Sequence, residues 1–300
     1  MSDLGFDGKT AIITGAGNGL GRSHALELAR RRARVVVNDL GGTADGKGAS
    51  TTAAQQVVDE IVAAGGEAVP SFDSVTTPEG GRAIVQTALD AFGRVDIIVN
   101  NAGILRDTTL KNLTPEHLDR VLDVHVRGAF NVTQPAWQRM REQGYGRIIN
   151  TSSPAGLFGN FGQTNYSTAK MGLVGFTRAL AIEGKKDGIK ANAIAPIART
   201  RMTEELLGDN ADKLAPEYVT AVAVYLAHEE CPVTGEVFSV GGGRVAQVFI
   251  AQTQGIVDFE LSPESVRDQF DRIRTQDGYH VHDNTLDEMR TTLRALAAAR

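Results

Sequence analysis

The reading turns on TAIITGAGNGLG at residues 10–21. Thr10–Thr14 is apolar and β-branched through its centre, as a buried strand should be. Gly15, Gly17, Gly19 and Gly21 follow, and then Leu20, His24, Leu28 and Arg31 recur at helical spacing. Glycines between a buried strand and a helix let the backbone approach a pyrophosphate, while the helix N-terminus offers N–H donors and a favourable dipole. Glycines also mark ordinary turns. It is the position between a first strand and a first helix that gives this run its meaning.

Working outward, the same alternation continues. Strands are expected at Thr10–Thr14, Arg34–Asp39, Glu67–Asp73, Val95–Asn100, Gly146–Ser152, Lys190–Ala195 and Val237–Val240. Helices are expected over Leu20–Arg32, Thr52–Ala64, Pro78–Phe92, Pro115–Arg141 and Tyr166–Gly184. This pattern predicts an α/β, doubly wound Rossmann fold with a mostly parallel seven-stranded sheet and right-handed crossovers. The polar stretch Gly41–Ser50 is long for a strand-to-helix connection, so it is an insertion or a functional flap. From Val245 the glycines thin out and the pattern turns helical and charged. Residues 1–244 therefore read as a dinucleotide-binding and catalytic domain, and 245–300 as a helical extension docked on that core.

Composition closes off other classes. Thirty-one basic against 36 acidic residues give a net charge of −5, so there is no positive excess to bind nucleic acid. No apolar run approaches the roughly 20 residues of a membrane helix. The start, MSDLGFDGK, lacks the shape of a secretory signal. A lone Cys231 forms no internal disulfide, which points to a reducing, cytoplasmic setting. His280-Val281-His282-Asp283 has no third partner and reads as surface, so no metal is expected. Trp137 and Met140, three apart, read as packing residues.

Asp39 ends the second strand, where a carboxylate accepts hydrogen bonds from the adenosine ribose hydroxyls and repels a 2′-phosphate. That favours NAD over NADP. Arg22 as a phosphate clamp is the counter-reading, although an arginine on the first helix is more often surface. Asp73-Ser74-Val75 and Asn101-Ala102-Gly103 lie at the ends of strands three and four, so both face the same crevice. Asp73 reads equally well as an adenine partner or as a turn former.

Tyr166 and Lys170 stand four apart, on one helix face. A cation beside a phenol lowers its pKa toward the working range of a proton acceptor. Ser153, thirteen residues upstream of the tyrosine, is placed to hydrogen-bond the reacting oxygen.

TGAGNGLG, NNAG and Ser153…Tyr166-x-x-x-Lys170, in this order, resemble the short-chain dehydrogenase/reductase superfamily. VVVNDLGG at 35–42, FGRVDIIVNNAGILRD at 92–107, GRIINTSS at 146–153, GNFGQTNYSTAK at 159–170 and LAIEGKK at 180–186 are similar to one branch. That branch is the (3R)-hydroxyacyl-CoA dehydrogenase unit of peroxisomal multifunctional enzyme type 2, with its free-standing bacterial relatives. TRMT at 200–203, PEYV at 216–219 and SPESVRDQF at 262–270 extend the likeness into the tail.

The resemblance implies Tyr166 as acid/base, Ser153 orienting the substrate oxygen, and Lys170 on the nicotinamide ribose. It implies Gly15, Asn18, Gly19 and Leu20 around the pyrophosphate, Asp39 on the adenosine ribose, and Asp73, Ser74, Val75 and Asn101 around the nucleoside. Two positions depart from the superfamily pattern. His125 stands where many members have an asparagine whose backbone opens a proton path. Ile197 follows Pro196 where glycine is usual, so it would meet the nicotinamide carboxamide through its main chain.

The implied reaction is NAD-dependent oxidation of a (3R)-hydroxyacyl-CoA, with a fatty or a sterol acyl group. A 17β-hydroxysteroid dehydrogenase, a 3-oxoacyl carrier protein reductase and a non-enzymatic nucleotide sensor are the alternatives. The helices at 115–141 and 166–184 would pair the chain as a homodimer, with a tetramer as the larger assembly. Arg106 and Lys111, beside the crevice, are candidate phosphate partners.

Overall fold

The computed structural model describes residues 3–198 and 212–299; TRMT at 200–203 lies outside them. The chain divides into two compact units, Met1–Gln247 and Val248–Arg300.

In the first unit β1 (Thr10–Thr14), α1 (Gly19–Arg30), β2 (Arg34–Asn38), α2 (Thr52–Ala63), β3 (Glu67–Ser71), α3 (Pro78–Phe92) and β4 (Ile97–Asn100) form the leading half. There follow α4 (Pro115–Leu122), a π-helical turn (Asp123–Arg127), α5 (Gly128–Gln143), β5 (Gly146–Thr151), a short α6 (Pro154–Phe158), α7 (Thr164–Gly184) and β6 (Ile189–Pro196). Then α8 (Pro216–Ala227), β7 (Val237–Gly241) and β8 (Arg244–Val248) complete it.

The sheet order is β3-β2-β1-β4-β5-β6-β7-β8. Every pairing from β3 through β7 is parallel. The sequence predicted seven strands; the eighth comes after Gly242 and Gly243, both at positive φ. Two such residues make the tight turn that joins antiparallel strands. Helix α8 was also missed, since its apolar residues run with little polar interruption and carry no clear face. The single helix expected over Pro115–Arg141 is instead broken by the π turn.

Alternate residues of each strand feed opposite cores, as the pleat requires. Ala11, Ile13, Val35 and Val37 pack with α1, α2 and α8 through Leu28, Ile61 and Val224. Ile12, Val36, Ile98 and Ile148 pack with α3 and α5 through Ile84, Val132 and Met140, and Trp137 packs partly buried against the same cluster. This two-sided covering explains the continuous apolar strands. Strand order reverses between β1 and β4 while their direction stays parallel, which opens a crevice at their carboxyl ends.

The second unit holds α9 (Pro263–Asp268), α10 (Phe270–Arg274) and α11 (Thr285–Ala298). An antiparallel bridge joins Gln252 and His280. His280 and His282 hydrogen-bond the Gln254 and Gln252 side chains. Among the described residues no helix is long and apolar enough to cross a membrane.

Burial also sets a pH limit. His24 on α1 is fully buried, its Nδ1 is 2.8 Å from Thr220 Oγ1, and burial pulls its pKa from 6.5 to about 4. The folded state therefore excludes a proton that the unfolded chain binds, and the stability this represents is lost as pH falls from 6.5 toward 4. His125, also buried and held well below 6.5, acts in the same direction. Thermal unfolding followed by circular dichroism should show Tm falling across that window, less steeply in His24→Gln. Identical slopes would contradict this account.

Candidate active site

The crevice is built where two strand ends are fastened together. Asn101 Nδ2 donates to Thr14 O at 3.0 Å and Gly15 O at 3.1 Å. The Asn101 and Ala102 N–H groups both donate to Thr14 Oγ1 at 3.1 Å. A Cβ on Gly15, whose φ is +64°, would fall 2.8 Å from Ala102 Cα. Asn101 therefore spends both amide hydrogens on bracing the first turn.

Above this junction lies a cavity of about 520 Å³, within the range of ligand sites. It is lined by Gly15, Asn18, Gly19, Leu20, Asp39, Asp73, Ser74, Val75, Asn101, Ser153, Tyr166, Lys170 and Ile197. These thirteen residues singled out from the sequence are thus brought to one place, whereas Arg106 and Lys111 do not line the cavity and Arg22 pairs with Glu60 instead.

The residues fit a dinucleotide. Asp39 Oδ2 accepts from Gly17 N at 2.8 Å and Oδ1 from Gly41 N at 2.7 Å. An ionised carboxylate has about four acceptor positions, so capacity remains for a ribose diol. A Cβ on Gly17 would come within 2.8 Å of Asp39 Oδ2, and glycine alone permits that approach. Asp73 lines the cavity, but its O accepts from Asn38 Nδ2 at 3.0 Å and its Oδ2 from Ser71 Oγ at 3.3 Å, both turn-bracing bonds. Ile197 N–H already donates to Val240 O at 2.8 Å. Main-chain contact with a ligand at that position therefore falls to its carbonyl.

Ser153 caps α6, its Oγ accepting from Ala155 N at 3.2 Å. Tyr166 and Lys170 sit on the opening turns of α7. Lys170 is buried, with Nζ donating to Thr151 O at 2.6 Å and lying 5.4 Å from the Tyr166 ring centroid. Burial pulls Lys170 down to about 7. Burial likewise pushes Tyr166 up to about 12, against the opposing pull of the Ser153 hydroxyl. The sequence predicts a cation that lowers the phenol; burial is the larger influence on it here. Desolvation governs both groups and drives each toward its neutral form.

His125 lies in the π turn, a feature frequent at functional sites. Its Nε2 is 2.9 Å from Ile104 O and 3.1 Å from Ile104 N, and its ring meets Tyr166 edge-on at 5.3 Å. Burial first, and the Lys170 charge second, keep the ring neutral. A Cβ on Gly103 would fall 2.5 Å from His125 Cε1, so glycine makes room for the imidazole.

The long loop that the sequence marked as an insertion or a flap also reaches the cavity. Thr43, Ala44, Gly46 and Gly48 of the Gly41–Ser50 loop line the cavity, and Leu105 N donates to Ala44 O at 3.0 Å. Arg106 Nε donates to Asp45 O at 2.8 Å, so this candidate phosphate partner is engaged with the loop. Lys111 lies in a 3₁₀ turn, Leu110–Asn112. Asp107 and Gln163 line the cavity and hydrogen-bond each other at 2.5 Å. Only the fold makes these last two neighbours, through a bridge between Thr108 and Gln163.

Residues 9–211 match the family model described as short chain dehydrogenase. Peroxisomal multifunctional enzyme A of Dictyostelium discoideum is 48% identical over 275 residues, covering 91% of this chain and 62% of that protein. A putative short-chain type dehydrogenase/reductase of Mycobacterium tuberculosis is 50% identical over 265 residues, covering 88% and 92%. The structure of full-length peroxisomal multifunctional enzyme type 2 from Drosophila melanogaster superposes with a TM-score of 0.84 at 34% identity, covering 99% of this chain and 51% of that one. The chain thus spans 62% and 51% of the length of those two multifunctional enzymes.

The buried lysine has a measurable signature. Its folded pKa of about 7 lies below its ordinary 10.5, so between those values the unfolded chain binds a proton that the folded protein does not. Stability from this group therefore rises with pH across that interval. The Tm of the wild type minus that of Lys170→Met should climb from pH 7 toward 10. A difference independent of pH would show that Lys170 titrates normally.

Proposed function

This chain belongs to the short chain dehydrogenase family, and we propose that it oxidises (3R)-hydroxyacyl-CoA thioesters to 3-oxoacyl-CoA with NAD⁺. The observation that carries the reading is the convergence of Ser153, Tyr166 and Lys170 on the cavity that Asp39 and the glycine turn also line. Bound there, NAD⁺ supplies the hydride acceptor.

The chain's own groups handle the proton. Ser153 Oγ holds the substrate oxygen beside the Tyr166 hydroxyl. The phenolate form of Tyr166 takes the hydroxyl proton as the C3 hydride departs, leaving the 3-oxo group. Lys170, charged when the phenol ionises, offsets the negative oxygen. Activity rises with pH as the Tyr166–Lys170 pair loses its first proton, the loss that leaves the phenol anionic beside a charged lysine.

Asp39 supports NAD over NADP, because a 2′-phosphate would meet its carboxylate. An acyl-CoA is supported by the resemblance to the (3R)-hydroxyacyl-CoA dehydrogenase unit. Phe158 and Phe161, 71% and 88% exposed beside the cavity-lining Asn160, offer an apolar lip for an acyl chain. Phe130 on α5 and Met171 and Ile182 on α7 are exposed apolar residues that support pairing with a second copy as a homodimer. The single cysteine, buried and free, supports a reducing, cytoplasmic setting.

The test is NAD⁺ reduction at 340 nm with a (3R)-hydroxyacyl-CoA, its (3S) isomer and a 17β-hydroxysteroid. Turnover of the (3R) thioester alone is expected; turnover of the steroid with neither thioester oxidised would overturn the acyl-CoA reading. Tyr166→Phe should lower kcat by about a thousandfold, within the range for general acid–base groups, with NAD⁺ affinity nearly unchanged. Asp39→Ser should reduce the preference for NAD⁺ over NADP⁺ in kcat/KM by at least about tenfold, a loss equivalent to one charge-assisted hydrogen bond. An unaltered preference would remove Asp39 from the cofactor site.

A further inference from the structure

Helix α7 begins without the usual cap. Gln163, its N-cap residue, makes no side-chain bond to the helix N–H groups. Its amide is committed elsewhere: Nε2 donates to Asp107 Oδ2 at 2.5 Å, and Oε1 accepts from Asn160 Nδ2 at 2.9 Å. The first four N–H groups of a helix have no intrahelical acceptor, and the third of them on α7 belongs to Tyr166 itself.

Asn165 takes over that bond and adds two more. Its Oδ1 accepts from Tyr166 N at 2.8 Å. Its Nδ2 donates to Arg106 O at 3.0 Å and to His117 O at 3.3 Å. The residue is fully buried. One planar amide thus uses its oxygen and both hydrogens on three elements: α7, the connection after β4, and α4. Aspartate offers no donor for the two carbonyls, and alanine leaves all three groups without a partner.

The tie matters because the connection after β4 also lines the cavity, through Gly103, Ile104, Leu105 and Asp107. Fixing the Tyr166 N–H to this connection sets the rotation of the first turn of α7, and so the direction of the phenol relative to Ser153 and Lys170. A misplacement on the order of 1 Å at a reacting group costs about a hundredfold in rate.

We propose that Asn165 is a positioning residue for Tyr166, holding the phenol in register by clamping the start of α7 to the Arg106 and His117 carbonyls. This rests on Tyr166 being the acid/base of the reaction.

The test separates positioning from mere helix capping. Gln163→Ser supplies a capping hydroxyl that accepts from the Tyr166 N–H at the third helical position once residue 163 moves from its ψ of 35° to the extended conformation of an N-cap. Asn165→Ala is then introduced in that re-capped background, which restores the lost acceptor but not the tie to the two carbonyls. Folding is checked by circular dichroism. With the (3R)-hydroxyacyl-CoA, kcat of the double variant should fall at least tenfold below that of Gln163→Ser. Its pH–kcat profile should shift while KM for NAD⁺ stays within about twofold.

A second readout needs no activity. In protein labelled with 3-fluorotyrosine, the ¹⁹F resonance of Tyr166, assigned by its loss in Tyr166→Phe, should move and broaden in the double variant. The other four tyrosines should keep their positions. A loss of kcat smaller than threefold, or an unmoved Tyr166 resonance, would overturn the proposal. If Tyr166→Phe itself retains turnover, the failure lies instead with the reading of Tyr166 as acid/base.

Discussion

The site depends on how closely two loops can approach at the middle of the sheet. β1 and β4 lie side by side, and the turns that leave them must both clear the same point. Gly15 supplies the space, with no Cβ to meet Ala102. Thr14 and Asn101 supply the fastening, with two hydrogen bonds to each other and one each to Ala102 N and Gly15 O, all of 3.0–3.1 Å. From this junction the glycine turn runs to Asp39 on one side, and the connection after β4 runs to His125 and Asn165 on the other. A side chain at position 15 would push these two halves apart, and the cavity between them would lose its shape.

Burial then determines the chemistry available. Lys170 has a single hydrogen-bond acceptor, the Thr151 carbonyl, among the contacts described for its ammonium group. With so little to compensate, the charge is disfavoured, and the phenol beside it is disfavoured as an anion for the same reason. Two groups that each resist ionisation alone stabilise each other when they ionise together. A neutral His125 set edge-on to the tyrosine adds no competing charge.

Much of this was legible in the sequence because it rests on local rules. Strand, glycine turn and helix follow one another within 21 residues, and Tyr166 and Lys170 are spaced by a single helical turn. The position of Asp39 at the cavity was legible too, because strand ends in a doubly wound sheet face the ligand crevice. What was missed depends on contacts distant in sequence. Asn165 reaches partners 59 and 48 residues away, and Asp107 meets Gln163 across 56; no periodicity encodes such pairs. The π turn at Asp123–Arg127 was read as ordinary helix, since its residues fit either ladder. The bonding of Lys170 escaped for a different reason. Sequence places a lysine beside a tyrosine, but only the fold states how dry that place is.

The measurement that tests the central claim most directly is the fate of the hydrogen at the carbinol carbon. A (3R)-hydroxyacyl-CoA carrying deuterium at C3 would be incubated with the protein and NAD⁺, and the products read by mass spectrometry. This account predicts one deuterium in the reduced nicotinamide for each 3-oxoacyl-CoA formed, with none released to solvent. Deuterium appearing in water, or a 3-oxo product formed without reduction of the nicotinamide, would contradict it.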